Sequence, residues 1–451
     1  MQQGQTYSGD ALERLAGLIR VKTESFTEYE KYDMSEFSRF KEVFRETYRR
    51  AVDTFEEIEV SPLSIVYRWE GLNPDLKPAL FIGHYDVVGA EPHAWSHPPY
   101  DGIIEDGFLY GRGTLDIKQQ LAAYMEGVQI LLESGFTPER TIYFAFGGDE
   151  EVSGTMGAGK ISRWFEEAGI KFEYLMDEGG IISTEGMKAF TSKPVALIGI
   201  EEKGMMSLYL SCSDDSGHSS MPPKHTAIGR LAEAIRKIEN NPFPPRLENS
   251  VVRMLKEIGR NCRFPLNLLF KLMPLTNPLI IKAFSKANST NSMIRTSQSV
   301  TLVEGGTREN VLPSFARAVI NFRILPGETM DSVKSRIEGL VKGMGIEVGF
   351  HDGWPPCDPI PAPQKDTEAF SLVKETIHNV FPGVIAVPFL VNGSTDSKYY
   401  RALTDNIFRF TPDFLSSADL ERIHGVDERI SGENFEGMIK FYTNFIKKTC
   451  G

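Results

Sequence analysis

The run Pro78-Ala-Leu-Phe-Ile-Gly-His-Tyr-Asp-Val-Val88 decides how the rest of the chain is read. Its apolar opening suits a strand buried on both faces, and it closes on a histidine and an aspartate at the strand's carboxyl end. Two more short apolar runs, 141–147 and 172–176, end the same way, one before Asp149, Glu150 and Glu151 and the other before Asp177. Between the first two, Ile117, Leu121, Tyr124, Val128 and Leu131 recur at helical spacing, and Gly135 supplies a stop. Similar stripes predict a helix over 10–20 and another after Gly154. Strands alternating with helices imply a layered α/β domain.

The pattern changes after about residue 198. Residues 206–212 alternate, 226–239 read as helix, 297–303 and 314–325 as strands around a Gly305-Gly306 turn, 329–342 as helix and 346–351 as strand. That order, β, α, β, β, α, β, is the pattern of a split βαβ, ferredoxin-like α+β unit. Residues 352–451 return to mixed α/β, with a strand expected at 407–410 and a last helix over 432–447. The expected architecture is a catalytic α/β domain formed by 1–197 and 352–451, interrupted by an inserted domain over 198–351.

A length of 451 residues argues for two or three domains. With 41% hydrophobic and 24% charged residues, the composition is that of a folded globular protein. The 61 acids outnumber 49 bases and give a formal charge of -12, so no general attraction to nucleic acid or anionic lipid is expected, although a local basic patch is compatible with that sum. Cys212, Cys262, Cys357 and Cys450 lie far apart with no CxxC spacing, which suggests neither a disulfide framework nor a thiolate zinc site and favours a reducing compartment. Residues 1–20 hold no basic segment followed by an apolar run, so a cytoplasmic location is expected, a trimmed export signal being the alternative. The most apolar stretch, 264–284, is interrupted by Pro265, Lys271, Pro274 and Pro278, and no membrane span is read there.

The acids and histidines follow the strands. His84 and Asp86 end the first, Asp116 lies in the loop that opens the helix, Glu150 and Glu151 end the next strand, and Asp177 ends the one after. In an open α/β sheet those ends line one crevice. Gathering so many carboxylates without compensation costs several kcal/mol apiece. Divalent cations remove that cost and use the same atoms as ligands. Imidazole and carboxylate without thiolate favour zinc, with manganese or cobalt as substitutes, over calcium or an iron-sulfur cluster. Adjacent residues of a regular strand point to opposite sides, so one of Glu150 and Glu151 ligates while the other handles a proton. Taken singly, each of these residues would more often be a cap or a surface group; their coincidence carries the reading.

These residues resemble a known family. His84-Tyr-Asp-Val-Val88, Gly111-Arg-Gly113 with Asp116 and Lys118, Asp149-Glu-Glu151, Asp177 and the late His424-Gly425 resemble the dinuclear-zinc exopeptidases that include aminoacylases, carboxypeptidase G, carboxypeptidase S and acyl-amino-acid hydrolases. The likeness spans nearly the whole chain. It implies that Asp116 bridges two zinc ions, with His84 and Asp177 completing one site and Glu151 and His424 the other. It makes Glu150 the general base and has Asp86 orient His84. In the inserted domain it implies that His218, in Gly217-His-Ser-Ser220, stabilises the tetrahedral oxyanion, often across a dimer, and that Asn310 and Arg323 hold the substrate's carboxylate. Arg323 also fits by position: Ala316, Ala318, Ile320, Phe322 and Ile324 share one strand face and leave its guanidinium on the other. Gly393, Ser394, Thr395 and Asp396 look like the family's substrate-contacting loop.

The activity implied is zinc-dependent hydrolysis of an amide bond beside a free carboxylate, in a dipeptide or N-acyl amino acid, with the inserted domain as lid and dimerisation unit of a homodimer. The segment 264–284 resembles the insert of carboxypeptidase S and of enzymes acting on fatty acyl amino acids. It is expected either to line an apolar acyl pocket or to pack on the domain or a dimer partner.

Two other classes have less support. Gly154-Thr-Met-Gly-Ala-Gly-Lys160 nearly spells a phosphate-binding loop, but Ile161 stands where Ser or Thr should hold magnesium, and Glu150 and Glu151 would repel phosphate. No GxSxG elbow is present. A non-catalytic metal- or peptide-binding protein on the same scaffold is the alternative to an enzyme, and the intact Glu150 speaks against it.

Overall fold

The strand Ala79–His84 is buried along its whole length and lies inside a ten-stranded sheet. A computed structural model describes residues 2–185, 188 and 190–451, with the side chains of residues 2–8 outside that description. Ile142–Gly147 pairs in parallel with one side of Ala79–His84 and Tyr174–Asp177 with the other. Ile407–Arg409 continues in parallel from Tyr174–Asp177, and Ile385–Val391 runs parallel to Val195–Glu202 further along. The register sets His84 opposite Gly147 and Asp177 opposite Arg409, so the carboxyl ends of the central strands fall on one edge.

These strands read as continuous apolar runs because both faces are covered. Ala79 and Phe81 join one core with residues of Lys118–Glu133 and Gly432–Cys450, whereas Leu80 and Ile82 join another with residues of Ala158–Glu167. Alternation along a strand sends successive residues to opposite faces, so each face acquires its own helical layer. Burying Leu80, Phe81 or Ile82 contributes roughly 1.5–3 kcal/mol each to the frame beneath the edge.

A second sheet has four antiparallel strands in the order Ser297–Gly305, Phe315–Ile324, Gly204–Ser213, Glu347–Phe350. With the helices Ala227–Glu239 and Met330–Val341 it encloses a separate core that includes Leu208, Leu231, Ile320 and Ile337. Thr329 caps the second of those helices through the Ser332 amide, which accounts for where it starts. Along the chain these elements run strand, helix, strand, strand, helix, strand.

The helices that lie in the chain between the first two strands of this sheet, after Ala227–Glu239, pack elsewhere. Val251, Met254 and Ile258 of Asn249–Asn261 lie in one core with Ile385, Val387 and Leu390 of the large sheet, together with Phe270, Met273, Ile280 and Phe284. The apolar segment is thus two helices, Leu266–Lys271 and Met273–Phe284, that help to cover the large sheet. Among the described residues no helix is long and apolar enough to cross a membrane.

Candidate metal centre

His84 is held from behind. Its Nδ1–H donates to the Asp86 carbonyl oxygen at 3.1 Å, which leaves Nε2 with a lone pair aimed 3.1 Å from Asp116 Oδ1. The other Asp116 oxygen lies 3.0 Å from His424 Nε2, which is also 3.1 Å from Glu151 Oε1. Two groups of donor atoms result, His84 with Asp116 and Glu178, and Asp116 with Glu151 and His424, the atoms of each within 4.8 Å of one another. Asp116 belongs to both.

Such geometry fits divalent cations on chemical grounds. Lone-pair nitrogens and carboxylate oxygens that face one another at hydrogen-bond distance repel unless a cation lies between them. Protons can play that part. Asp116 and Glu151 push His424 up to about 10, against burial. Burial is the largest single influence on His84 and opposes its charge, yet Asp116 and Asp86 together hold it well above its ordinary value. Burial would raise Asp116, but His424 and His84 hold it below the usual carboxylate range. Burial, followed by the neighbouring Asp116 and Asp177, raises Glu178. Imidazole and carboxylate donors without sulfur match zinc, manganese or cobalt.

The sequence reading is corrected at one ligand. Asp177, expected beside His84, is absent from both donor groups; the neighbouring Glu178 stands there instead. Asp177 is the last residue of its strand, and its Oδ2 accepts the Ser397 amide at 3.1 Å. Glu178 lies past the strand end, where the alternation that sets Asp177's direction no longer applies.

The Asp86 side chain binds the turn after the neighbouring strand. Its two carboxylate oxygens accept the amides of Glu150 and Glu151 at 3.0 and 3.1 Å, fixing the turn that carries both acids. Glu150 is buried, and its carboxylate makes no hydrogen bond among the described residues. The amides of Met156 and Gly157, which a phosphate-binding loop would offer to a nucleotide, are taken by the Asp149 carboxylate at 2.7 Å each. A residue missed in the sequence, Glu428, ties the Asp116 loop to the segment bearing His424. Its Oε1 accepts the amides of Gly113, Leu115 and Asp116, and its Oε2 accepts Arg112 Nη1 at 2.5 Å. Next to His424, whose φ is +60°, stands Gly425, where a Cβ would come within 2.3 Å of the Glu421 carbonyl oxygen.

The remaining expected residues lie apart from the donor groups. His218 and Asn310 meet on an exposed two-stranded ribbon, where His218 pairs with Val311 and Ser219 donates to the Asn310 carbonyl. Arg323 is half-buried and its guanidinium makes no hydrogen bond or ion pair among the described residues, while burial lowers its pKa. Lys203, overlooked in the sequence, is buried nearby, and burial followed by Arg323 brings it down to about 8. In the 393–396 run, Gly393 is exposed and the Thr395 amide donates to Glu202 Oε1 at 2.7 Å. Glu202 in turn accepts fully buried Arg409 at 2.7 Å.

A cavity of about 340 Å³ opens beside Asp116 and Glu178, walled by Leu115, Ile117, Ile181, Leu197, Phe389 and Leu415. No residue of 264–284 lines it.

A profile described as peptidase family M20/M25/M40 matches residues 80–448. The chain is 37% identical over 442 residues to the probable carboxypeptidase S-like 2 of Dictyostelium discoideum, covering 97% of this chain and 84% of that protein. It is 35% identical over 441 residues to the N-fatty-acyl-amino acid synthase/hydrolase PM20D1 of Homo sapiens, covering 96% and 87%. Among solved structures, the M20 family metallo-carboxypeptidase Sso-CP2 of Sulfolobus solfataricus superposes with a TM-score of 0.69 at 17% identity, over 97% of this chain and 98% of that one.

Proposed function

We propose that this chain, which belongs to peptidase family M20/M25/M40, hydrolyses the amide bond beside the free carboxylate of a dipeptide or N-acyl amino acid. Membership makes it an enzyme of the exopeptidase and amidohydrolase class. One observation carries the finer reading: Asp116 offers one oxygen to His84 and the other to His424, so a single carboxylate serves two cation positions.

In this reading His84 and Glu178 complete one position, Glu151 and His424 the other, and zinc fills both, with manganese or cobalt as substitutes. When bound, such ions acidify water and polarise an amide carbonyl. Glu150 takes the proton from the attacking water on its free carboxylate and returns it to the departing nitrogen. Asp86 keeps that carboxylate in place through the Glu150 amide and keeps the His84 lone pair facing inward.

Arg323, unpaired among the described residues, binds the substrate carboxylate, helped by Lys203 and by Asn310. The 393–396 loop, braced by Glu202, bounds the substrate. The apolar cavity beside Glu178 takes the acyl group or side chain. We read the four-stranded unit as a ferredoxin-like lid and dimerisation domain, inserted over 198–351 into a catalytic domain of 1–197 and 352–451. Its exposed ribbon offers His218 as oxyanion donor to a second copy. Four free cysteines support a reducing, cytoplasmic setting.

The test is Glu150→Ala, assayed on acylated amino acids and dipeptides after metal analysis. Metal content should equal that of the unaltered protein while turnover falls by about 10²–10⁴. Normal turnover would remove Glu150 as the base; no cleavage of any substrate by the metal-loaded parent protein would remove the hydrolase reading.

A further inference from the structure

The helices Leu266–Lys271 and Met273–Phe284 are apolar on two sides, and the core accounts for one of them. Phe270, Met273, Ile280 and Phe284 are buried against the large sheet's cover. On the other side Leu268, Leu272, Leu275 and Leu279 follow one another at spacings of one helical turn, and Leu275 is 81% exposed and Leu279 62%. Phe264, 78% exposed, extends the stripe. A helix surface of this kind in water marks something that covers it.

Charge identifies the cover. From residue 258 to residue 303 there is no Asp or Glu, in a chain with 61 acids in 451 residues, while Arg260, Arg263, Lys271, Lys282, Lys286 and Arg295 all fall in that span. Arg263, Lys271, Lys282 and Lys286 are exposed and form no ion pair among the described residues. Beside the stripe, a cavity of about 590 Å³ is lined by Phe264, Leu268, Phe270 and Lys271 together with Lys256 and Arg260. It shares no lining residue with the cavity at the metal cluster.

We propose that this face docks the protein onto an anionic lipid surface, the leucines entering the headgroup boundary and the surrounding Lys and Arg meeting lipid phosphates and carboxylates. An apolar face framed by cations is the pattern of an interfacial helix, and long cationic side chains can lie along the apolar surface while their charges reach the headgroups. A second copy of this chain is a poor occupant: Arg260 is already paired with Glu257 at 2.6 Å, and pairing like faces would set the unpaired Arg263, Lys271, Lys282 and Lys286 against their own copies. The overall charge of -12 opposes nonspecific attachment, so contact would be confined to this face.

The test is co-sedimentation of the full chain with vesicles of phosphatidylcholine alone and of equimolar phosphatidylcholine and phosphatidylserine. Binding to the mixed vesicles should exceed binding to the neutral ones by about tenfold or more and fall in molar salt. Leu275→Glu with Leu279→Glu should abolish it without changing the circular dichroism spectrum or hydrolysis of a short acyl amino acid. Lys271→Glu with Lys282→Glu should remove the preference for phosphatidylserine. Absence of vesicle binding by the unaltered chain overturns the proposal, as does equal binding by the leucine variant. Self-association lost with Leu275→Glu and Leu279→Glu, without vesicle binding, would assign the face to a second copy instead.

Discussion

Two adjacent acids, Asp177 and Glu178, divide the work at the end of one strand. Asp177 holds the Ser397 amide and so anchors the segment that follows the 393–396 loop, while Glu178 faces His84 and Asp116. Glu178→Ala should therefore lose metal at one position, and Asp177→Asn should retain it, as metal analysis after dialysis will read. Asp413 is another buried acid. Burial, followed by the Asp419 carboxylate, pushes its carboxyl up to about 7, and neither of its oxygens has a hydrogen-bond partner among the described residues. Between the unfolded value near 4 and about 7, the folded state keeps a proton that the unfolded chain has released. Its contribution to stability is thus complete at low pH and lost as pH rises through that window. Asp413→Asn removes the penalty. The variant should match the parent protein at pH 4 and exceed it at pH 8 by up to about 4 kcal/mol, measured by denaturant unfolding. A uniform loss at both pH values would mean that the carboxylate itself is needed for packing.

At the scale of elements, the centre depends on how the Asp116 loop is tied to the segment that carries His424. Glu428 does this with three backbone amides and a buried ion pair to Arg112, whose guanidinium also stacks 5.1 Å from the Trp95 ring centre. Removing one partner of a buried pair strands the other charge, at a cost of about 3–5 kcal/mol. Glu428→Gln should lower the unfolding free energy by that order and weaken metal binding, because the loop carrying Asp116 and the turn carrying His424 lose their common anchor. Thermal denaturation and metal titration check the two effects separately. Reduced stability with unchanged metal affinity would show that the turn holds His424 without Glu428.

Across the whole molecule the donor set is confined to the large sheet's edge and its loops, whereas the four-stranded sheet has a core of its own. Metal that binds only the folded form stabilises it by about 4 kcal/mol at a thousandfold excess over Kd. Chelation should therefore reduce amide-exchange protection in Ala79–His84 and Ile142–Gly147 while leaving Phe315–Ile324 unaffected. Equal loss in both sheets would mean that they open as one unit. The lipid-facing helices lie in the chain between strands of the four-stranded sheet yet pack on the large one, so docking would hold the sheet that carries the donor groups at the membrane surface.

The order of strands and helices, the acids and histidine at strand ends, and the family were legible in the chain itself. Buried parallel strands need continuous apolar runs, helices need a one-sided stripe, and chemistry concentrates where such strands stop. The choice of Glu178 over Asp177 was not legible, because strand alternation gives a side chain's direction only while the strand continues. Nor were Glu428, the Glu202–Arg409 pair or the exposed side of the leucine helices. Each depends on which distant segment arrives opposite: Arg112 meets Glu428 across 316 positions, and an apolar stripe reads the same whether protein or water faces it. Local periodicity determines the elements; only their packing decides which polar groups meet and which apolar face is left uncovered.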